Sequence, residues 1–221
     1  MTKVAILLSG CGVFDGSEIH ESVLTFLELE RWGIEHQCFA PDMAQLHVIN
    51  HITGEVEQSV TRNALVESAR IARGNVLACD TLDIDAFDAL VIPGGFGAAK
   101  NLCDFAINNQ DCEVTLQVEV FIKAFANKKK PIGFICISPV MIPKIFGEGA
   151  VGTIGNDIET AEAFNRMGGL HQNTEVGDII IDAERHIVST PAYMLAENIT
   201  QAHKGISALI KEVAKMCGVK V

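Results

Sequence analysis

Three short runs, residues 3–9 (KVAILLS), 88–93 (DALVIP) and 132–136 (IGFIC), are apolar almost without interruption, and each is followed by small or turn-forming residues. Strands buried on both faces read this way, and they belong to parallel sheets covered by helices. The intervening segments fit. Residues 17–32 place Ile19, Val23, Phe26, Leu27 and Leu29 on one helical stripe that Gly33 stops. Residues 35–40 read as a second strand, 63–73 as a short helix, and 113–126 as a helix carrying Val118, Phe121 and Phe125. A helix over 138–146, a strand near 150–154, two β-rich runs (178–182 and 186–190) and a helix over 195–216 complete the chain. Residues 41–62, mixing Gly, Asn and Thr with short apolar pairs, read as an excursion or small hairpin. Strands alternating with helices imply right-handed crossovers and a mostly parallel, helix-covered sheet of the α/β class. With 221 residues, one domain over 1–221 is expected.

Charge and cysteine usage narrow the functions. The 28 acidic residues outnumber the 17 basic ones, which leaves no positive surface for phosphate backbones, so nucleic acid is not an expected partner. Seven cysteines, odd in number and scattered without CxxC or Cys/His spacing, indicate neither a disulfide framework nor a metal site. The opening run is too short for a signal h-region or a membrane span, so a cytoplasmic protein with no membrane partner is expected.

In sheets of this kind ligands sit beyond the carboxyl ends of the strands, which directs attention to Gly10, Gly95 and Cys136. Cys136 falls where a strand gives way to Ile137-Ser138-Pro139, a sharp turn that exposes its sulfur at a helix start. A helix N-terminus favours negative charge, so a thiolate with a depressed pKa is expected there. Gly94 and Gly95 let backbone N–H groups point at an oxyanion beside the sulfur, with the Ile137 amide as a second donor. Glu18 and Glu21, three residues apart at the start of the first helix, lie on one face, and either can reach Cys136. A carboxyl beside that sulfur implies that one of the two holds a proton. Cys38, Cys79, Cys103, Cys112 and Cys217 read as small buried hydrophobes.

The segments AILLSGCGVFDGSEIHES, ALVIPGGFGAAKNL, PIGFICISP and GGLH (168–171) resemble the class I glutamine amidotransferase-like superfamily. The resemblance is to its PfpI-like and deglycase branch and, within it, to isoprenoid-biosynthesis proteins with an amidotransferase-like domain. It implies a flavodoxin-like three-layer sandwich and a homodimer. It also implies an elbow cysteine at Cys136, a helix-one glutamate at Glu21, an oxyanion glycine at Gly95, a nearby histidine at His171, and no cofactor or metal. Protease-like members carry histidine after the cysteine, where this chain has Ile137, and the His-x-Glu of true amidotransferases does not follow Cys136. Proteolysis and glutamine hydrolysis are therefore not expected.

The leading expectation is a cofactor-independent glyoxalase, converting glyoxal to glycolate through a hemithioacetal on Cys136. The alternative is a redox-sensing or regulatory protein of the same fold, linked to isoprenoid biosynthesis, in which Cys136 is oxidised and Cys11 is its partner if the two meet.

Overall fold

A computed structural model describes residues 2–221. In chain order the elements are β1 (Lys3–Leu7), α1 (Ile19–Arg31), β2 (Glu35–Ala40), α2 (Ala64–Ile71), β3 (Val76–Ala78), β4 (Ala89–Ile92), α3 (Phe105–Asn108) and α4 (Leu116–Asn127). There follow β5 (Ile132–Ile135), α5 (Ile142–Phe146), β6 (Val151–Gly152), α6 (Ile158–Arg166), β7 (Leu170–His171), β8 (Ile180–Asp182), β9 (Ile187–Thr190) and α7 (Ile199–Met216). Seven strands form one sheet in the order β3-β2-β1-β4-β5-β9-β8. All its pairings are parallel except the outer one between β8 and β9.

The central strands explain their own burial. Val4 to Leu7, Ala89 to Ile92 and Ile132 to Ile135 have no residue that wants water, and both faces of each strand are covered. α1 packs against α7 and α2, while α4 packs against α5 and β4. Right-handed crossovers on either side of β1 put these two groups on opposite faces of the sheet. The chain winds outward from β1 through β2 to β3, then restarts on the other side at β4. The crevice where strand order reverses therefore lies between β1 and β4, at their carboxyl ends.

Several sequence expectations change. The strand expected near 150–154 shrinks to Val151–Gly152 and leaves the main sheet, pairing with β7 in a separate two-stranded sheet. The helix expected over 138–146 divides into a 3₁₀ turn at Ser138–Met141 and the short α5. The last helix starts at Ile199, not Leu195, because the Asn198 side chain accepts from Gln201 N and caps it. α3, α6, β3 and β7 are additions. Among the described residues no helix is long and apolar enough to cross a membrane.

Candidate active site

Cys136 occupies the turn out of β5 with φ +64°, a left-handed conformation that a residue with a Cβ adopts only under constraint. The constraint comes from three strands. Cys136 N donates to Thr190 O of β9 (2.9 Å), and Ile135 N donates to Ser138 Oγ (2.9 Å). The Ser138 hydroxyl in turn lies 2.9 Å from both Ile92 O of β4 and Ile135 O. Such strain costs about 1–3 kcal/mol and persists because its surroundings over-determine it.

The loop after β4 closes over the sulfur. At Gly94 a Cβ would stand 2.3 Å from Cys136 Cβ, 2.7 Å from Glu21 Oε2 and 2.9 Å from Cys136 Sγ, so no side chain fits between the cysteine and the glutamate. Gly95 has φ +90°, and a Cβ there would meet Glu18 N and Gly16 O at 2.4 Å. Gly94 O accepts from Glu18 N (3.0 Å), which ties the loop to the start of α1.

Glu18 and Glu21 divide their tasks. Glu18 Oε2 accepts from Glu21 N at 2.7 Å and caps α1, while the residue also lines the cavity described below. Glu21 is fully buried. Its Oε2 accepts from Gly94 N (2.9 Å), its Oε1 accepts from Tyr193 N (3.2 Å), and its carboxyl is hydrogen-bonded to the Cys136 thiol. Glu21 is thus the glutamate that faces the sulfur. The backbone N–H groups of Gly95 and Ile137 favour the anionic form of the sulfur.

The charge state departs from the sequence expectation. Burial pushes the Glu21 carboxyl up to about 8, with the Glu18 charge adding to it, against the opposing N–H of Tyr193, the Cys136 thiol and the N–H of Gly94. Burial likewise pushes the Cys136 thiol well above its ordinary range, and the charge of Glu21 raises it further, against the N–H groups of Gly95 and Ile137. At neutral pH the site therefore holds a carboxyl and a thiol, not a standing thiolate. The helix-terminus argument fails for two physical reasons. The element after Cys136 is a four-residue 3₁₀ turn with little dipole to offer, and Cys136 is only 7% exposed beside an ionisable carboxyl.

Cys136 forms the floor of a cavity of about 500 Å³. Its walls are mostly apolar, from Val13, Phe96, Phe105 and Met194, and its polar rim includes Glu18 and Tyr193. A pocket of this size and character suits a small organic ligand. The Tyr193 hydroxyl is 2.8 Å from His20 Nδ1 at the surface. Tyr193 escapes the sequence argument although it follows β9 at the same end of the sheet. Its link to Glu21 is a backbone N–H, and Ala192 takes φ +40° to aim it.

Two expected participants are elsewhere. His171 does not line the cavity: its Nε2 accepts from Ile154 N (3.1 Å), its own N–H donates to Asn165 Oδ1 (2.8 Å), and its ring stands edge-on to Phe164. It braces the β6–β7 sheet, where burial pushes its pKa down. Cys11 is half-buried among Glu67, Arg70, Asp15 and Arg62, and is raised chiefly by burial and then by Glu67. Its neighbours are not those of Cys136, so the disulfide imagined between them has no geometric support. The long loop carrying Cys11 is instead moored by Asp15, whose Oδ2 accepts from Ile49 N at 2.7 Å, and by Asn101 Nδ2, which donates to Ser9 O and Asp15 O.

A cysteine at a strained elbow, a buried glutamate from the first helix and a glycine loop on a β3-β2-β1-β4-β5 sheet define a class I glutamine amidotransferase-like protein. No family model matches the chain. It is similar to the rat (Rattus norvegicus) "ES1 protein homolog, mitochondrial", 43% identical over 98% of this chain and 84% of the relative. It is also similar to the human (Homo sapiens) "Glutamine amidotransferase-like class 1 domain-containing protein 3, mitochondrial", 42% identical over the same shares. Among solved structures, the isoprenoid biosynthesis protein with amidotransferase-like domain from Ehrlichia chaffeensis superposes with a TM-score of 0.91 at 36% identity, covering 98% of this chain and 99% of that one. The chain belongs to this family of ES1 and isoprenoid-biosynthesis amidotransferase-like proteins. Glyoxalase III from Candida albicans shares the fold, with a TM-score of 0.60 at 14% identity over 96% of this chain and 97% of that one. The curated relatives are named as mitochondrial proteins, which overturns the expectation of a cytoplasmic one. Free thiols call for a reducing compartment and do not single out the cytosol.

Proposed function

We propose that the chain is a cysteine-dependent glyoxalase acting on a small dicarbonyl such as glyoxal. The observation that carries this reading is the Glu21 carboxyl, fully buried and hydrogen-bonded to Cys136 at the floor of the cavity. Glu21 in its ionised form takes the thiol proton as sulfur adds to one aldehyde carbon. The N–H groups of Gly95 and Ile137 hold the resulting alkoxide until Glu21 returns the proton, giving a hemithioacetal. Glu21 then removes the hydrogen from that carbon, the electrons pass to the neighbouring carbonyl, and reprotonation at the second carbon leaves a thioester of glycolate. Water cleaves the thioester to glycolate and restores the thiol.

The shared fold of the Candida albicans glyoxalase III is consistent with the reading, although at 14% identity it speaks to fold alone. A redox-sensing role at Cys136 is the weaker alternative, because a buried, protonated thiol reacts slowly with peroxide. The test compares glyoxal consumption and glycolate formation by the wild-type protein, Cys136→Ala and Glu21→Gln. Loss of turnover in both variants is expected, and equal rates in all three would end the proposal.

A further inference from the structure

A pair of cysteines, Cys103 and Cys112, lies near the cavity. Cys103 faces Val114 in an isolated antiparallel bridge, flanked by hydrogen bonds from Thr115 N to Leu102 O (2.9 Å) and from Asp104 N to Glu113 O (3.2 Å). In such a pairing the residue two places before the opposite partner lies on the diagonal, on the same side of the ribbon. That residue is Cys112, and the two thiols perturb each other's ionisation, while Cys103 Sγ donates to Ala98 O (3.3 Å) and Cys112 Sγ lies 3.6 Å from Met167 Sδ. Both side chains are almost wholly buried, yet each borders a surface cleft. Cys103 lines one of about 470 Å³ with Lys100, Cys112 lines another of about 420 Å³ with Lys144, and both clefts share Glu113 and Val114.

We infer that Cys103 and Cys112 form a peroxide-sensitive dithiol that closes to a disulfide and fastens the wall of the Cys136 cavity. The two sulfurs are not equivalent. Cys112 borders the cleft that holds Lys144, and the neighbouring Cys103 thiol, with the positive charge of Lys144, holds it below the ordinary thiol range against its burial. Its neighbour Cys112, together with burial, holds Cys103 above that range. Placed beside the lysine, Cys112 is the attacking sulfur and Cys103 the resolving one. The Cys112 thiolate attacks the terminal oxygen of a hydroperoxide, the O–O bond breaks, and the leaving alkoxide takes a proton, giving a sulfenic acid and an alcohol. Cys103 then displaces hydroxide from the sulfenic sulfur, its proton completing water. Two thiols and one hydroperoxide thus yield one disulfide, one alcohol and one water; with hydrogen peroxide the alcohol is a second water.

The residues enclosed by the new bond include Phe105 and Ala106 of α3, which line the Cys136 cavity. The bridge that carries the pair stands outside the main sheet, so closure disturbs no central strand.

Trypsin isolates the pair, since residues 101–123 contain these two cysteines, no third, and no internal Lys or Arg. The native wild-type protein and Cys136→Ala are treated with hydrogen peroxide, denatured with iodoacetamide present, digested without reductant and weighed. A 101–123 peptide lighter by two hydrogens and free of alkylation is expected in both proteins, and its loss is expected in Cys112→Ser. Should both cysteines of that peptide remain alkylatable in the peroxide-treated wild-type protein, the inference is wrong, and that result needs no variant to fold. Because no substrate is consumed, the outcome is independent of whether the protein is a glyoxalase.

Discussion

Glu21 Oε2 accepts a 2.9 Å hydrogen bond from Gly94 N, joining the first helix to the loop after β4 across the reversal point of the sheet. The contact leaves no room for a side chain, because a methyl group at residue 94 would collide with Cys136 and Glu21 together. Gly94→Ala is therefore expected to lose activity and also about 1–3 kcal/mol of stability through overpacking. Urea unfolding and Cys136 alkylation measure the two effects, and a variant that is stable and fully reactive would show that the glutamate and the cysteine are not held as described.

Alkylation of Cys136 by iodoacetamide is expected to be slow at neutral pH and to rise through about 8, where the pair gives up its first proton. That proton belongs to the pair, so the remaining one is shared and part of the population carries charge on sulfur. Glu21→Gln cannot make this step, and its rise is expected to occur elsewhere on the pH axis. A rate that is already maximal at pH 6 would mean that the thiol is ionised in the resting protein.

The same carboxyl carries a stability signature. A group whose folded pKa stands above its unfolded value contributes stability that is full below the unfolded value and is lost as pH rises through the folded one. For Glu21 the window runs from 4.5 to about 8. Each tenfold difference between the two dissociation constants is worth about 1.4 kcal/mol. Glu21→Gln offers one acceptor where Gly94 N and Tyr193 N need two, so it is expected to be less stable than wild type at acid pH, with the gap narrowing as pH rises through this window. Denaturant melts at pH 5 and pH 8 measure the trend, and parallel curves would contradict it.

How far the sequence leads depends on what each feature is made of. Cys136, Gly94 and Gly95 are legible because apolar strands end at them, and strand ends are where α/β sheets bind ligands. Helix spacing alone does not separate Glu21, which the resemblance implies, from Glu18, since both share a helix face and only the cap geometry divides them. Tyr193 is hidden because its link to Glu21 is a main-chain N–H that any residue except proline can provide. α6 buries only Ala163 and Phe164, too few for a stripe, and its one start signal is Asp157 accepting from Thr160 N. The protonated state of the thiol depends on depth, which a string of residues does not show. Cys103 and Cys112 are nine positions apart and meet only because an isolated bridge folds the chain back on itself.

Behind the site, Glu28 of α1 accepts from Arg31 (2.7 Å) and from Ser207 Oγ of α7 (2.9 Å), and lies 2.7 Å from His203 Nε2. Burial works against this carboxylate, but the hydrogen bonds from His203, Ser207 and Arg31 outweigh it and hold Glu28 below the usual range. With a lowered folded pKa, its contribution is present above the unfolded value of 4.5 and lost as pH falls through the folded one. Glu28→Ala is expected to cost about 1.5–3 kcal/mol for charged hydrogen bonds lost, with little change in Cys136 alkylation. A melt unchanged at pH 7 would show that α1 and α7 do not depend on this clamp.

Tyr193 joins two functions that one substitution separates. Its backbone N–H holds Glu21 Oε1, while its hydroxyl meets His20 at the rim of the cavity. Tyr193→Phe keeps the first and removes the second. The pH profile of Cys136 alkylation is therefore expected to match wild type, because the pair's surroundings are intact. Glyoxal turnover is expected to show a raised KM with kcat little changed, as befits a group that meets the substrate at the rim and not at the reacting carbon. If instead the alkylation profile moves and kcat falls, the phenol acts on the thiol–carboxyl pair itself, and the division of labour between main chain and side chain at this residue is wrong.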